Sequence, residues 1–131
     1  MNYNIRLLIL FSMVFCHIVD DYYLQGDLKE FKQKKWWAKH APQKRYEKDY
    51  LMALFMHGFS WSFMVHMPLT IYSLMTGKIQ YIVIAISCLC HAIVHAVVDD
   101  IKANQFSINL IQDQLIHLFQ IAAILITVFI L

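Results

Sequence analysis

Four apolar stretches dominate the sequence, and their lengths restrict the folds that it can adopt. They cover about residues 5–25, 50–75, 79–101 and 108–131. A helix needs roughly 20 apolar residues to cross the hydrocarbon core of a bilayer. The 131 residues are 60% hydrophobic, above the roughly 45–50% that is typical of soluble domains. The sequence therefore predicts one all-α domain, residues 1–131, folded as an integral membrane four-helix bundle.

The polar segment between the first two stretches, residues 26–49, carries an excess of positive charge. It contains eight of the eleven basic residues: Lys29, Lys32, Lys34, Lys35, Lys39, Lys44, Arg45 and Lys48. In a four-span bundle Lys102 lies on the same side of the membrane, whereas Arg6 and Lys78 lie on the other. Because basic residues concentrate in cytoplasmic loops, we expect a long basic cytoplasmic loop between helices 1 and 2. The same rule predicts an inner (plasma) membrane protein with both termini extracytoplasmic.

Aromatic residues accompany the lysines of this loop. Phe31, Trp36 and Trp37 predict that part of it lies at the level of the lipid headgroups. Acidic residues are interspersed in the segment, and together with the membrane context they argue against nucleic acid as a partner. We therefore expect membrane lipids as partners, and the apolar helix faces allow a homo-oligomer without requiring one.

Polar residues recur inside the apolar stretches at a spacing of four residues, which places them on one face of a helix. The third stretch carries His91, His95 and Asp99 in this way. The other stretches contribute His17, Asp21, Gln25, His57, Asp113 and His117. With the orientation given above, the three aspartates fall at a similar depth near the cytoplasmic side. Most of the histidines fall about one helical turn deeper.

These residues predict a metal site. A charged side chain in the middle of a span costs roughly 2.5–3.5 kcal/mol on insertion scales, so buried aspartates need compensation. Neutral imidazoles and carboxylates are ligands of zinc, manganese and iron ions. We expect one or two such divalent ions, with a metal-free polar network or proton path as the alternative. The predicted ligands are His17, Asp21, His57, His91, His95, Asp99, Asp113 and His117.

Other polar residues have expected supporting roles. His66 is expected to hydrogen-bond between helices rather than to bind metal. Asp20 and Asp100 are expected to face other sides of their helices, as interfacial residues or as supports for the ligands.

The motifs His17-x3-Asp21-x3-Gln25, His91-x3-His95-x3-Asp99-x2-Lys102 and Asp113-Gln114-x2-His117 occur in a familiar order. They resemble a family of small multi-pass membrane proteins of bacteria and their phages, catalogued as domain of unknown function 3307. The resemblance covers nearly the whole chain, and His57 matches a further histidine of that family. It departs at Asp20-Asp21-Tyr22, where the family usually has a small residue before the acid. The resemblance implies the membrane fold and the site but no established activity.

The first functional hypothesis is an intramembrane metal-dependent hydrolase that opens towards the cytoplasmic leaflet. Asp21, Asp99 and Asp113 are its candidate catalytic carboxylates, as metal ligands or as general base. Lys102 is a candidate for attracting an anionic headgroup, or else an anchor at the membrane interface. The expected substrate is amphiphilic, a lipid or a lipid phosphate.

Two other hypotheses stand beside it. In one, a non-catalytic phage or bacterial membrane protein uses its metal or polar network for structure, and its basic loop binds a partner or anionic lipid. In the other, the bundle transports a metal ion or protons. Apart from His66 and Gln80, the outer halves of the stretches are apolar, and this one-sided distribution disfavours transport.

Overall fold

The computed structural model describes the backbone of residues 2–130 and the side chains of residues 2–128, and none of the described residues forms a strand. The all-α prediction is therefore confirmed for this part of the chain. Its six α-helices are α1 (Tyr3–Val19), α2 (Leu28–Phe31), α3 (Lys34–His40), α4 (Asp49–Thr76), α5 (Tyr81–Asp100) and α6 (Leu110–Ile130). A π-helical turn extends α1 over Asp20–Leu24, and a second extends α5 over Ile101–Gln105.

Three of these helical segments are long and apolar enough to cross a membrane: Tyr3–Leu24, Tyr81–Gln105 and Leu110–Val128. The helix predicted as the second span, α4, has 28 residues and would reach roughly 42 Å at 1.5 Å per residue. The mean hydropathy of α4 is too low for a candidate membrane span, because polar residues such as His57, Ser62 and His66 interrupt its apolar sequence. These three side chains are all buried inside the protein.

The long helices pack in a closed order, in which α4 contacts α1 and α5, and α6 contacts α5 and α1. An apolar core fills the half of this arrangement nearer the two termini. It consists of Ile9, Met13, Trp61, Val65, Leu69, Ile121, Ile124 and Val128. The opposite ends of the same helices carry the buried aspartates, whereas in the apolar half the α4–α5 interface also buries polar residues such as Ser62, His66 and Ser87.

Helices α4 and α5 approach most closely at Gly58. A Cβ atom placed on this residue would lie 2.5 Å from the carbonyl oxygen of Ala92 and 3.2 Å from the Cβ of Ala96. Glycine therefore permits a separation that a larger residue would prevent. The close approach brings the rings of His57 and His95 to a centroid distance of 5.0 Å.

The basic segment 26–49 is largely helical rather than an open loop. Its helix α2 packs against α4. Asn104, in the π-helical turn after α5, forms hydrogen bonds to the backbone at the junction between α2 and α3. Its side chain accepts a hydrogen bond from the backbone N–H of Lys34 at 2.7 Å and donates one to the carbonyl oxygen of Lys32 at 3.0 Å. The segment thus closes the polar end of the bundle, and Lys32 points into it.

Candidate metal centre

The polar ends of α1, α4, α5 and α6 meet in one buried cluster. Five predicted ligands are at most 3% exposed there: His57, His95, Asp99, Asp113 and His117. Asp21 joins them from α1, with a side chain that is 9% exposed. Residues from four helices, which spacing along the helix and depth in the bundle had grouped, thus lie in one cluster.

His57 lies at the centre of a first group of candidate ligands, Asp21, His57 and His95. Its Nε2 atom is 3.3 Å from Nε2 of His95 and 3.3 Å from Oδ1 of Asp21. It also lies 3.4 Å from Oδ2 of Asp99. Two atoms that each lie about 2.0–2.1 Å from a tetrahedral ion are roughly 3.3–3.4 Å apart. The neighbours of His57 are therefore spaced as metal ligands are, but the side-chain amide of Gln25 also lies 2.9 Å from Nε2 of His57 and must release this atom before it can bind an ion.

A second group contains His95, Asp99 and His117, whose ligand atoms lie within 4.8 Å of one another. Nε2 of His117 is 3.8 Å from Oδ1 of Asp99 and 3.3 Å from Oδ1 of Asp113. His95 belongs to both groups, and its ring stacks on that of His117 at a centroid distance of 4.1 Å.

Several polar atoms of this cluster lack a hydrogen-bond partner although they are buried. They are Nδ1 of His57, Nδ1 of His95, Nε2 of His117, Oδ1 of Asp113 and Oδ2 of Asp20. Buried polar atoms are nearly always hydrogen-bonded, and an exception calls for an explanation such as an ion. The hydrogen bonds within the protein therefore do not satisfy this cluster.

The cluster carries a net negative charge when its histidines are neutral, as they must be to bind a metal ion. Asp20, Asp21, Asp99 and Asp113 line it, and two lysines pair with them. Lys32 Nζ lies 2.5 Å from Oδ2 of Asp99, and Lys102 is hydrogen-bonded to Oδ2 of Asp113. With ionised aspartates and neutral histidines, four negative charges face two positive charges. The remaining two negative charges equal the charge that one divalent cation would neutralise.

His17 lies beside the two groups rather than within them. The indole N–H of Trp61 donates to Nδ1 of His17 at 2.7 Å. Because Nδ1 accepts this bond, a neutral imidazole carries its proton on Nε2. Nε2 then donates to Oε1 of Gln114 at 3.1 Å. Neither nitrogen keeps a free lone pair, so this arrangement assigns His17 an orienting role where the sequence predicted a ligand.

Gln114 in turn orients two carboxylates by hydrogen bonds. Its amide nitrogen lies 3.3 Å from Oδ2 of Asp21 and 3.1 Å from Oδ2 of Asp113. Both bonds have the amide as donor, which leaves each carboxylate with its Oδ1 directed at a histidine. Supports of this kind fix ligand orientation in metal sites.

His91 does not reach either group. Its ring lies 6.1 Å from that of His66, further along the α4–α5 interface. His66 donates from Nδ1 to the carbonyl oxygen of Ser62 at 2.7 Å and accepts from the hydroxyl of Ser87 at 2.9 Å. His66 thus forms the predicted interhelical hydrogen bond, whereas the structure separates His91 from the other predicted ligands.

Two residues near the site were not predicted as part of it, and a third, Asp20, was expected only as an interfacial residue or as a support for the ligands. Lys32 comes from the basic segment, where a lysine is ordinarily solvated. Trp61 stacks on His95 at 4.3 Å, and its position four residues after His57 could have placed it on the same face of α4. Asp20 is buried rather than directed to another face of the helix; it accepts a hydrogen bond from Ser60 at 2.6 Å and lies 3.7 Å from Nδ1 of His57, where it can support this ligand.

A cavity of about 710 Å³ lies next to the cluster. Asp21, Asp99 and Gln114 line it on the side of the cluster, and Lys29, Lys32 and Lys102 contribute positive charge. The cavity therefore joins candidate metal ligands to a basic surface that suits an anion.

Comparisons with protein-family models, with curated proteins and with solved structures found no match.

Proposed function

We propose that this protein is a membrane-embedded, metal-dependent hydrolase that acts on an amphiphilic substrate with an anionic headgroup. The observation that carries the proposal is the convergence of His57, His95, Asp21 and Asp99 at metal-ligand spacing beside a cavity with three lysines. We further propose that the chain belongs with the family of domain of unknown function 3307, on the motifs quoted above.

The proposed membrane architecture is a four-helix bundle in which α4 is the fourth span. Its polar side chains His57, Ser62 and His66 are buried, so the low hydropathy of α4 does not require contact between polar groups and lipid. Large apolar residues cover the outside of the four long helices, among them Leu8, Phe11, Phe55, Ile82, Ile93, Ile111 and Phe119. A bilayer would cover such a surface, and the basic segment 26–49 would then face the cytoplasm.

The proposed chemistry is hydrolysis at the edge of the cavity. A divalent ion held by His57, His95 and the carboxylates would polarise a water molecule and an oxygen of the scissile bond. Asp21 belongs to the first ligand group, Asp99 lies 3.4 Å from its central residue His57, and both aspartates line the cavity. A carboxylate is therefore within reach to accept the proton of the attacking water. Asp113 lies behind His117 and has no place in the cavity wall.

The proposed substrate follows from the charge and position of the cavity. Lys29, Lys32 and Lys102 place positive charge at its wall, which suits a phosphate or another anionic group. Tyr22 and Tyr23 line the same cavity and are largely exposed on the outside of the bundle. A headgroup in the cavity would thus have its acyl chains beside an apolar surface.

A structural role without catalysis is the second candidate. The hydrogen bonds from Trp61 through His17 and Gln114 to the carboxylates join α4, α1 and α6. A metal ion in this cluster would then hold the helices together. The exposed lysines of the basic segment would in that case bind anionic lipid or a partner protein.

Metal analysis of the protein purified in detergent tests the proposal. We expect at least a stoichiometric amount of zinc, manganese or iron in the wild type and its loss in His95→Ala, which removes a member of both ligand groups. His40→Ala is the matched control, because His40 is exposed and should not affect the metal content. A wild-type protein that binds no divalent ion would contradict the proposal.

A hydrolysis screen then separates the two candidates. We expect a lipid phosphate or phosphodiester in mixed micelles to be cleaved by the wild type and not by Asp21→Asn. Metal-loaded protein that cleaves none of these substrates would favour the structural role.

A further inference from the structure

We infer that the cluster holds a second divalent ion, bound by His117, Asp113 and Asp99, with Asp99 bridging the two ions. This inference rests on the proposed function, because the second ion shares a ligand with the first. The ligand atoms are Nε2 of His117, Oδ1 of Asp113 and Oδ1 of Asp99.

The two oxygens of Asp99 face different histidines. Oδ2 lies 3.4 Å from Nε2 of His57 and 3.9 Å from Nε2 of His95. Oδ1 lies 3.8 Å from Nε2 of His117. In two-metal hydrolases the ions lie about 3.5–4 Å apart, close enough for one carboxylate to ligate both. Asp99 is oriented for that role.

The second position has donor atoms of its own that nothing else satisfies. His117 is 0% exposed and Asp113 is 1% exposed. Nε2 of His117 and Oδ1 of Asp113 have no hydrogen-bond partner. Nδ1 of His117 lies 3.1 Å from Oε1 of Gln120, so a neutral imidazole donates from Nδ1. Its Nε2 lone pair then faces the oxygen of Asp113 at 3.3 Å. In the neutral form of the ring that binds metal, a cation between these two atoms would make the contact favourable.

The lysine contacts are compatible with this assignment. Lys102 pairs with Oδ2 of Asp113, which leaves Oδ1 free for the second ion. Lys32, in contrast, lies on Oδ2 of Asp99, the oxygen that faces the first position. Filling the first position therefore requires Lys32 to move away from Asp99, towards the cavity that it already lines.

Two ions would also change the charge of the site. The cluster with its lysines carries two negative charges, so one divalent ion neutralises it and a second makes it positive. A positive site, with Lys29 as a further cation in the wall of the cavity, would favour a dianion over a neutral ester. The second ion thus gives the site a preference for phosphate monoesters within the anionic class.

The test is a manganese titration of the detergent-purified protein, read by metal content and by electron paramagnetic resonance. We expect two Mn²⁺ ions per wild-type chain, with a spectrum broadened by coupling between them. His117→Ala and Asp113→Asn should each bind one ion and show the resolved hyperfine pattern of isolated Mn²⁺. His40→Ala should match the wild type in both readouts.

The outcomes separate this inference from the proposed function. A single ion in the wild type that survives in His117→Ala would overturn the bridged pair and leave the proposed hydrolase intact. Two ions without coupling would overturn the bridging role of Asp99. No bound ion would overturn both. The wild-type spectrum needs no variant, so a substitution that prevents folding does not leave the inference untested.

Discussion

The close approach of α4 and α5 at Gly58 makes a quantitative prediction about metal affinity. In Gly58→Ala the added Cβ would lie 2.5 Å from the carbonyl oxygen of Ala92, against about 3.4 Å for an ordinary contact, so α5 must retreat locally by about 0.9 Å. His57 directly precedes Gly58 on α4, and its Nε2 lies 3.3 Å from Nε2 of His95. Metal–ligand distances tolerate changes of only about 0.2 Å.

The expected effects on folding and on metal binding differ. Overpacking costs roughly 1–3 kcal/mol, whereas replacing glycine by alanine in a helix contributes about 1 kcal/mol of stability. The stability of the metal-free protein should therefore fall modestly. Metal affinity should fall by roughly 10- to 100-fold, the range found when residues that hydrogen-bond to metal ligands and orient them are mutated.

Thermal unfolding in detergent, with Mn²⁺ and with a chelator, measures both effects. We expect the ion to raise the midpoint temperature of the wild type and to raise that of Gly58→Ala less. Met56→Ala is the control, because Met56 neighbours His57 but is 54% exposed on the outside of α4. If Gly58→Ala keeps the full metal-dependent stabilisation, the close approach does not position the ligands, and the reasoning fails.

Three further predictions address the lysine, the orienting hydrogen bonds and the topology. Lys32→Met should raise Mn²⁺ affinity in an equilibrium titration, since it removes the cation that pairs with Asp99. Unchanged or weaker binding would show that Lys32 and the metal ion do not compete for Asp99. Trp61→Phe should lower the free energy of unfolding by about 1–3 kcal/mol, because it leaves the buried Nδ1 of His17 without its donor and keeps an aromatic ring. Thermal unfolding checks this, and a midpoint equal to the wild type would contradict it. A reporter fused to the C-terminus should be extracytoplasmic, and a cytoplasmic signal would refute the predicted orientation.

The parts of the site that the sequence predicted are those that depend on regular helix geometry. His95 and Asp99, like Asp113 and His117, are four residues apart on one helix and project into the same cluster. His57 was found because it was a histidine at the matching depth of a neighbouring helix. Spacing along a helix and depth in the bundle were sufficient for these residues.

The roles of Asp20, Lys32 and His17 depend on features that spacing along a helix does not predict. Asp20 becomes buried beside Asp21 because a π-helical turn begins there and departs from the spacing of a regular α-helix. Lys32 pairs with an aspartate 67 positions away, and its position depends on how α2 folds over the bundle. His17 has ligand spacing, but its hydrogen bonds to Trp61 and Gln114 occupy both nitrogens. Only the packed structure reveals these partners.

The distribution of acidic residues bears on the choice between hydrolysis and transport. All nine lie within residues 20–49 and 99–113, at the polar end of the long helices. Beyond the cluster, the α4–α5 interface offers His66 and Ser87, which hydrogen-bond to each other. The interface of α1, α4 and α6 is filled there by apolar residues such as Met13 and Ile124. In the proposed membrane architecture, a divalent cation that left the cluster for the other side would lose every carboxylate while inside the membrane, where an uncompensated charge costs several kcal/mol. This distribution favours the proposed hydrolysis at one face of the membrane over transport across it.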